Sequence, residues 1–120
     1  MSARQIVKRY YDAWQRKTGD FSDVPLADDF QYKGPVASFD SAAGFRGMAA
    51  EAGPLVTRFD VRYQFIDGSR VCSIVDWEMA LPVPPMTSAE ILEVENGRIV
   101  RGELIYDAEP LRAAIAQQTR

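Results

Sequence analysis

With 120 residues, 47% hydrophobic and 26% charged, the chain suits one domain built on a single core. Its net charge of −3, with both signs interspersed and no lysine or arginine run, argues against a nucleic-acid surface. No apolar stretch approaches the roughly 18 residues of a membrane span, so no membrane partner is expected.

The first predicted element is an amphipathic helix over residues 3–17. Ile6, Val7, Tyr10, Tyr11 and Trp14 fall on one stripe, and Gly19 is its expected terminator. Residues 21–28 predict a short helical turn, with Pro25 limiting its regularity. Asp28 and Asp29 are expected to serve the turn into a short strand that ends at Gly34-Pro35. Ser41 is a good N-cap for a helix over residues 42–52, which Gly53-Pro54 stops.

Strands dominate the second half. Phe59, Val61, Tyr63 and Phe65 alternate with polar residues up to the turn signal Asp67-Gly68. Val71, Ser73, Val75, Trp77 and Met79 alternate with Cys72, Ile74, Asp76 and Glu78 in the next strand. A stiff segment of three prolines, Pro82 to Pro85, leads to the hairpin SAEILEVENGRIVRGELIY over residues 88–106. Its Asn96-Gly97 pair predicts a type I′ turn, which sets the register. That register points Glu90, Leu92 and Val94 to one face with Val100, Gly102, Leu104 and Tyr106. A short final helix is expected over residues 111–117, with Pro110 near its first turn.

The predicted fold class is α+β: a cone-shaped, curved antiparallel sheet with helices packed across its concave face, in one domain over residues 1–120. The other sheet face would carry Arg62, Gln64, Cys72, Ile74, Asp76, Glu78, Ile91, Glu93, Ile99, Arg101 and Ile105. So many isoleucines on one outer face predict a homodimer through it. The N-terminal residues lack a signal-like apolar core and Cys72 is the single cysteine, so the expected location is cytoplasmic and no internal disulfide forms.

The chain has no histidine. That removes serine–histidine and cysteine–histidine catalysis and most zinc sites, and leaves acid–base work to Asp, Glu, Tyr, Lys or Cys. No metal-ligand cluster is visible, and no cofactor is expected. Cys72 has no activating base beside it and reads as an inert thiol. Glu90 is the one acid on the hairpin's apolar face, and loss of hydration there would raise its pKa. The bland reading puts Glu90 at the start of its strand, solvated or paired with Arg46. Trp14, Tyr32, Tyr63, Trp77, Met79, Leu104 and Tyr106 are the expected ligand-lining set, although aromatic residues at strand spacing more often belong to a core than to a binding site.

The segments VKRYYDAW (residues 7–14), LADDFQYKGP (26–35), EILEVENGRI (90–99) and YDAEPL (106–111) resemble the nuclear transport factor 2-like superfamily, and within it the SnoaL-like group. The resemblance covers essentially the whole chain. It implies a cone of helices against a curved sheet, and a dimer through the sheet's outer face. Relatives include ketosteroid isomerase, polyketide cyclases, epoxide hydrolases, dehydratases and non-catalytic domains. By resemblance to ketosteroid isomerase, Tyr10 falls on the oxyanion-hole tyrosine and Glu90 near its second, acidic donor. The general-base position falls on Gly34, which cannot take a proton. Asp76 and Arg101 match part of the epoxide-hydrolase triad but face outwards.

The resemblance therefore implies a cavity for a small apolar organic ligand. Its expected chemistry is cofactor-independent isomerisation, cyclisation or lysis beside a carbonyl, with Glu90 and Tyr10 as catalytic residues. The alternative is a non-catalytic ligand-binding or dimerisation module of the same fold.

Overall fold

The computed structural model describes residues 1–118; the last two residues of the expected 1–120 domain lie outside the described residues. Helix α1 spans Ala3–Gln15. A capping box starts it: the Gln5 amide donates to Ser2 Oγ, and the Ser2 amide donates to the Gln5 side chain. It ends two residues before the expected limit, where Lys17 and Gly19 turn to positive φ. Strand β1, Leu26–Lys33, follows, then the two-residue β2, Ser38–Phe39. Helix α2, Ala42–Ala52, is capped by Ser41, whose Oγ accepts from the Gly44 amide. A 3₁₀ turn over Gly53–Leu55 leads into four long strands: β3 (Val56–Asp67), β4 (Arg70–Met79), β5 (Met86–Glu95) and β6 (Arg98–Ile105). Helix α3, Glu109–Gln118, is last.

The sheet order is β2-β1-β6-β5-β4-β3. Strands β3 to β6 form an antiparallel meander, and β1 joins β6 in parallel. Asn96 and Gly97 both have positive φ, as the hairpin turn requires. The fold class is α+β, as expected. The expected helical turn over residues 21–28 is shorter than that: Val24 bonds back to Phe21, and β1 takes over at Leu26, just past Pro25. Extended backbone before and after a proline outweighs the local helical pattern.

Two register shifts correct the expected faces. On β3, Val61 pairs with Val75 but Tyr63 pairs with Ile74, so Arg62 is an extra residue. A bulge reverses the alternation beyond it. Tyr63 and Phe65 therefore lie on the outer face, exposed at 56% and 62%, and Tyr63 leaves the expected ligand-lining set. Gln64 moves the other way and donates to the buried Ser73. On β6, Glu93 pairs with Arg101 but Val94 pairs with Ile99, so Val100 is the extra residue. Ile99 consequently joins the core, fully buried, rather than the outer face.

The core lies between the concave face of the sheet and helices α1 and α2. Phe45 of α2 is at its centre and meets Tyr10, Phe21, Phe30 and Tyr32. Gly102 lets the Tyr32 ring lie against β6: a Cβ there would stand 2.7 Å from Tyr32 Cδ2. Charges on the outer face are tied in pairs, Arg62 with Asp76 and Arg101 with Glu93. None of the helices in the described residues is long and apolar enough to cross a membrane.

Candidate functional site

Glu90 sits in the middle of β5, opposite Ser73 of β4 and Leu104 of β6, and its side chain points to the concave face. It is 4% exposed. Two phenols from different elements converge on it. Tyr10 of α1 donates to Glu90 Oε2 at 2.8 Å, and Tyr32 of β1 donates to the same oxygen at 2.5 Å. Both donors point at Oε2, and among the described residues no other side chain makes a well-formed hydrogen bond to the carboxyl, with Tyr11 standing nearest. Arg46 is not its partner; it donates to the carbonyls of Phe21 and Val24. Tyr11 lies near Glu90 and Ser73, but its buried hydroxyl has no hydrogen bond of adequate geometry.

Glu90 forms one wall of a cavity of about 420 Å³ inside the cone. Trp14, Tyr32, Trp77, Met79, Leu104 and Tyr106 line it with Glu90. Phe59, Val75 and Ser88 also line it, as do the 34–37 loop and Leu111 and Ile115 of α3. Tyr63 does not, because the β3 bulge turns it outwards. Tyr10 does not either: it is fully buried behind the carboxyl, with its hydroxyl directed to Glu90 rather than towards a ligand. Trp77 Nε1 donates to Ser88 Oγ at 2.7 Å, so the indole holds a wall in place and offers its ring to the interior.

Sequence reading missed Tyr32 as a direct partner of Glu90, because the parallel β1–β6 pairing that brings them together leaves no local trace. It also missed the part of α3 in the wall. The Leu111 to Ile115 spacing, one turn of a helix, was the available signal for that.

Burial raises the Glu90 pKa above the ordinary carboxylate range, and the hydrogen bonds from Tyr32 and Tyr10 oppose that rise. The two phenols are pushed well above their ordinary range, first by burial and then by the negative charge of Glu90. They therefore remain donors at any ordinary pH. The carboxyl is the acid of the cluster, and burial makes it hold its proton more tightly than an exposed glutamate does. No group of three or more potential metal ligands occurs among the described residues.

The stability consequence has a definite sign. Glu90 has a folded-state pKa above its unfolded value, so the native state holds this proton more tightly. Its contribution is fully present below the unfolded value of about 4.3 and is lost as pH rises through the folded-state value. Glu90→Gln keeps the shape and an acceptor for the phenols but removes the titration. Relative to wild type, the variant is expected to gain stability as pH rises from about 4 to about 8, read by urea denaturation at each pH. A gap that narrows or reverses with rising pH would show an ionised Glu90 that the fold needs.

A second, larger depression of about 880 Å³ lies over the outer surface near β1 and β6, beside Lys33, Arg70, Glu93, Arg101 and Glu103. It is a surface hollow lined by charged groups, and Arg101 and Glu93 are already paired across it. The cone, with its mostly apolar walls and, among the described residues, one buried carboxyl, is the better candidate site.

Comparison with solved structures agrees with this architecture. An NTF2-like protein of unknown function from Cytophaga hutchinsonii superposes with a TM-score of 0.81 at 19% identity, covering 93% of this chain and 96% of the other. A protein with a ketosteroid isomerase-like fold from Catenulispora acidiphila, solved in complex with trimethylamine, gives 0.73 at 16% identity, with 91% and 90% covered. An LEH-like epoxide hydrolase from M. tuberculosis gives 0.74 at 18%, with 98% and 92% covered. At these identities the likeness shows the fold alone. No curated protein matches the chain significantly in sequence. The SnoaL-like domain model, however, matches residues 7–102, from the helix that carries Tyr10 to the strand beneath Tyr32. The chain thus belongs to the SnoaL-like domain family and has its NTF2-like fold.

Proposed function

We propose that the cone binds a small, largely apolar organic molecule, with the Glu90 carboxyl as its polar anchor and as the proton donor or acceptor in any turnover. One observation carries this reading: a buried carboxyl whose two phenol partners share Oε2 stands in the wall of a 420 Å³ cavity. A core glutamate kept only for structure would gain from having both oxygens satisfied and no void beside it. The volume lies in the range used by small-molecule sites.

The reading assigns Tyr10 a different task from the one its resemblance implied. Tyr10 and Tyr32 hold and polarise the carboxyl, and Glu90 alone meets the ligand. Turnover, where it occurs, is proton transfer by one carboxyl without a cofactor. The neighbouring fold members support a ligand-holding cone but specify no substrate for this chain.

The neutral dye 1-N-phenylnaphthylamine tests the cavity directly. It is expected to bind with a blue-shifted, enhanced emission and one site per chain. Leu104→Trp, which puts an indole into the cone, is expected to weaken that binding about tenfold or more at unchanged fold, since the occupied volume is no longer available. Equal binding by the two proteins would place the dye elsewhere and remove the support for a ligand cone.

A further inference from the structure

We infer that the ligand of this cone carries a basic nitrogen, bound as an ammonium against Glu90 Oε1, with its apolar body on the aromatic walls. The inference rests on the cone being a ligand site and adds the chemical class of the ligand.

Charge inventory is the first support. Among the described residues the cavity is lined by two acids, Glu90 inside and Glu51 towards the rim, and by no lysine or arginine. An anionic ligand would therefore lose its hydration without gaining a counter-charge. A basic nitrogen finds one carboxyl that becomes its counter-charge on giving up its proton.

Hydrogen-bond geometry is the second. The Tyr10 and Tyr32 hydroxyls are both directed at Oε2, so neither is left to donate to a ligand carbonyl. The indole Nε1 of Trp77 is committed to Ser88. Beside these committed donors the inner wall presents the second oxygen of Glu90, which as a carboxylate is an acceptor and calls for a donor, while the Tyr106 hydroxyl lies two residues beyond Leu104 on the same wall. An ammonium N–H supplies a charge-assisted bond there, the strong kind, and its charge offsets the burial of the carboxylate.

The walls are the third. Trp14 stacks on Phe59 at 6.0 Å, and Trp77 meets Tyr106 edge to face at 5.4 Å, and all four rings line the cavity that Glu90 also lines. Aromatic faces attract cations, most strongly where water is excluded.

Proton balance closes without an outside group. Burial favours a protonated Glu90 in the free protein. A neutral amine can then enter, its nitrogen lone pair takes the Oε1 proton, the O–H bond breaks and an N–H bond forms. The products are an ammonium and a carboxylate, and the total charge in the cone is unchanged.

Three probes of similar size test the inference at neutral pH by calorimetric titration or by the fluorescence of Trp14 and Trp77: N,N-dimethylbenzylamine, the ketone isobutyrophenone, and phenylacetate. The amine is expected to bind about tenfold or more tighter than the ketone, and phenylacetate weakest, as one charge-assisted hydrogen bond implies. Glu90→Gln is expected to lose that advantage for the amine and to leave the ketone within about twofold. Ketone binding as tight as amine binding in the wild type would overturn the amine class and leave the ligand cone standing. An amine affinity unchanged by Glu90→Gln would do the same. No binding by any of the three would overturn the cone as a ligand site as well. Where the variant does not fold, the amine-to-ketone ratio of the wild type decides.

Discussion

Phe45→Ala is expected to cost about 3–5 kcal/mol, the range for truncating a fully buried phenylalanine. Phe45 is 0% exposed on α2 and makes ring contacts with Tyr10 at 6.0 Å, Phe21 at 5.7 Å, Phe30 at 5.3 Å and Tyr32 at 4.9 Å. It also touches the rings of Trp14 and Phe39. No small shift of one neighbour can close the hole, because those rings come from α1, the following loop, β1 and β2. Tyr10 and Tyr32 pack on this ring and also hold Glu90, so the loss reaches the site. Urea denaturation of the variant measures the cost. A loss below about 1.5 kcal/mol would mean that the cone collapses onto the vacancy and that its walls are less rigid than this packing implies.

Gly102→Val is expected to act on the site from below. A Cβ at Gly102 would lie 2.7 Å from Cδ2 and 2.9 Å from Cε2 of Tyr32, and 3.1 Å from Leu92 Cδ2. Valine adds two methyl groups beyond that. Overpacking of this kind costs about 1–3 kcal/mol, and here the Tyr32 ring must leave its place on β6. Its hydroxyl then loses Glu90. Because the Tyr32 bond is the largest effect opposing the burial of Glu90, the carboxyl should titrate at still higher pH in the variant. Carbon-detected NMR of the Glu90 carboxyl reads that shift. Tyr32→Phe separates the two effects, since it keeps the ring and deletes only the bond. An unmoved titration in both variants would mean that Tyr32 does not hold the carboxyl.

Much of this architecture is legible residue by residue. Ser2 and Ser41 mark helix starts because their side chains satisfy free amides locally, and Asn96-Gly97 marks the hairpin because few other pairs accept positive φ twice. Glu90 reads as inward-facing from alternation counted from the turn, through Leu92 and Val94. Alternation fails where a residue is inserted. Tyr63 lies just after one bulge and Ile99 just before another, and nothing in VRYQF or NGRIVRG states where the extra residue sits. The outer-face assignment of Ile99 and the ligand-lining assignment of Tyr63 failed for that single reason.

Sequence alone determined most of the elements, the inward facing of Glu90 and the absence of histidine chemistry, because these depend on local backbone preference and on residue inventory. Tertiary structure decided that Tyr10 and Tyr32, 22 residues apart in the chain, share one oxygen of Glu90. It also decided that the space beyond the carboxyl stays open. Those outcomes depend on how far the bulged sheet curves away from its helices and on which strand lies beside β6. Both are set by packing across the whole cone, where distant rings compete for the same volume.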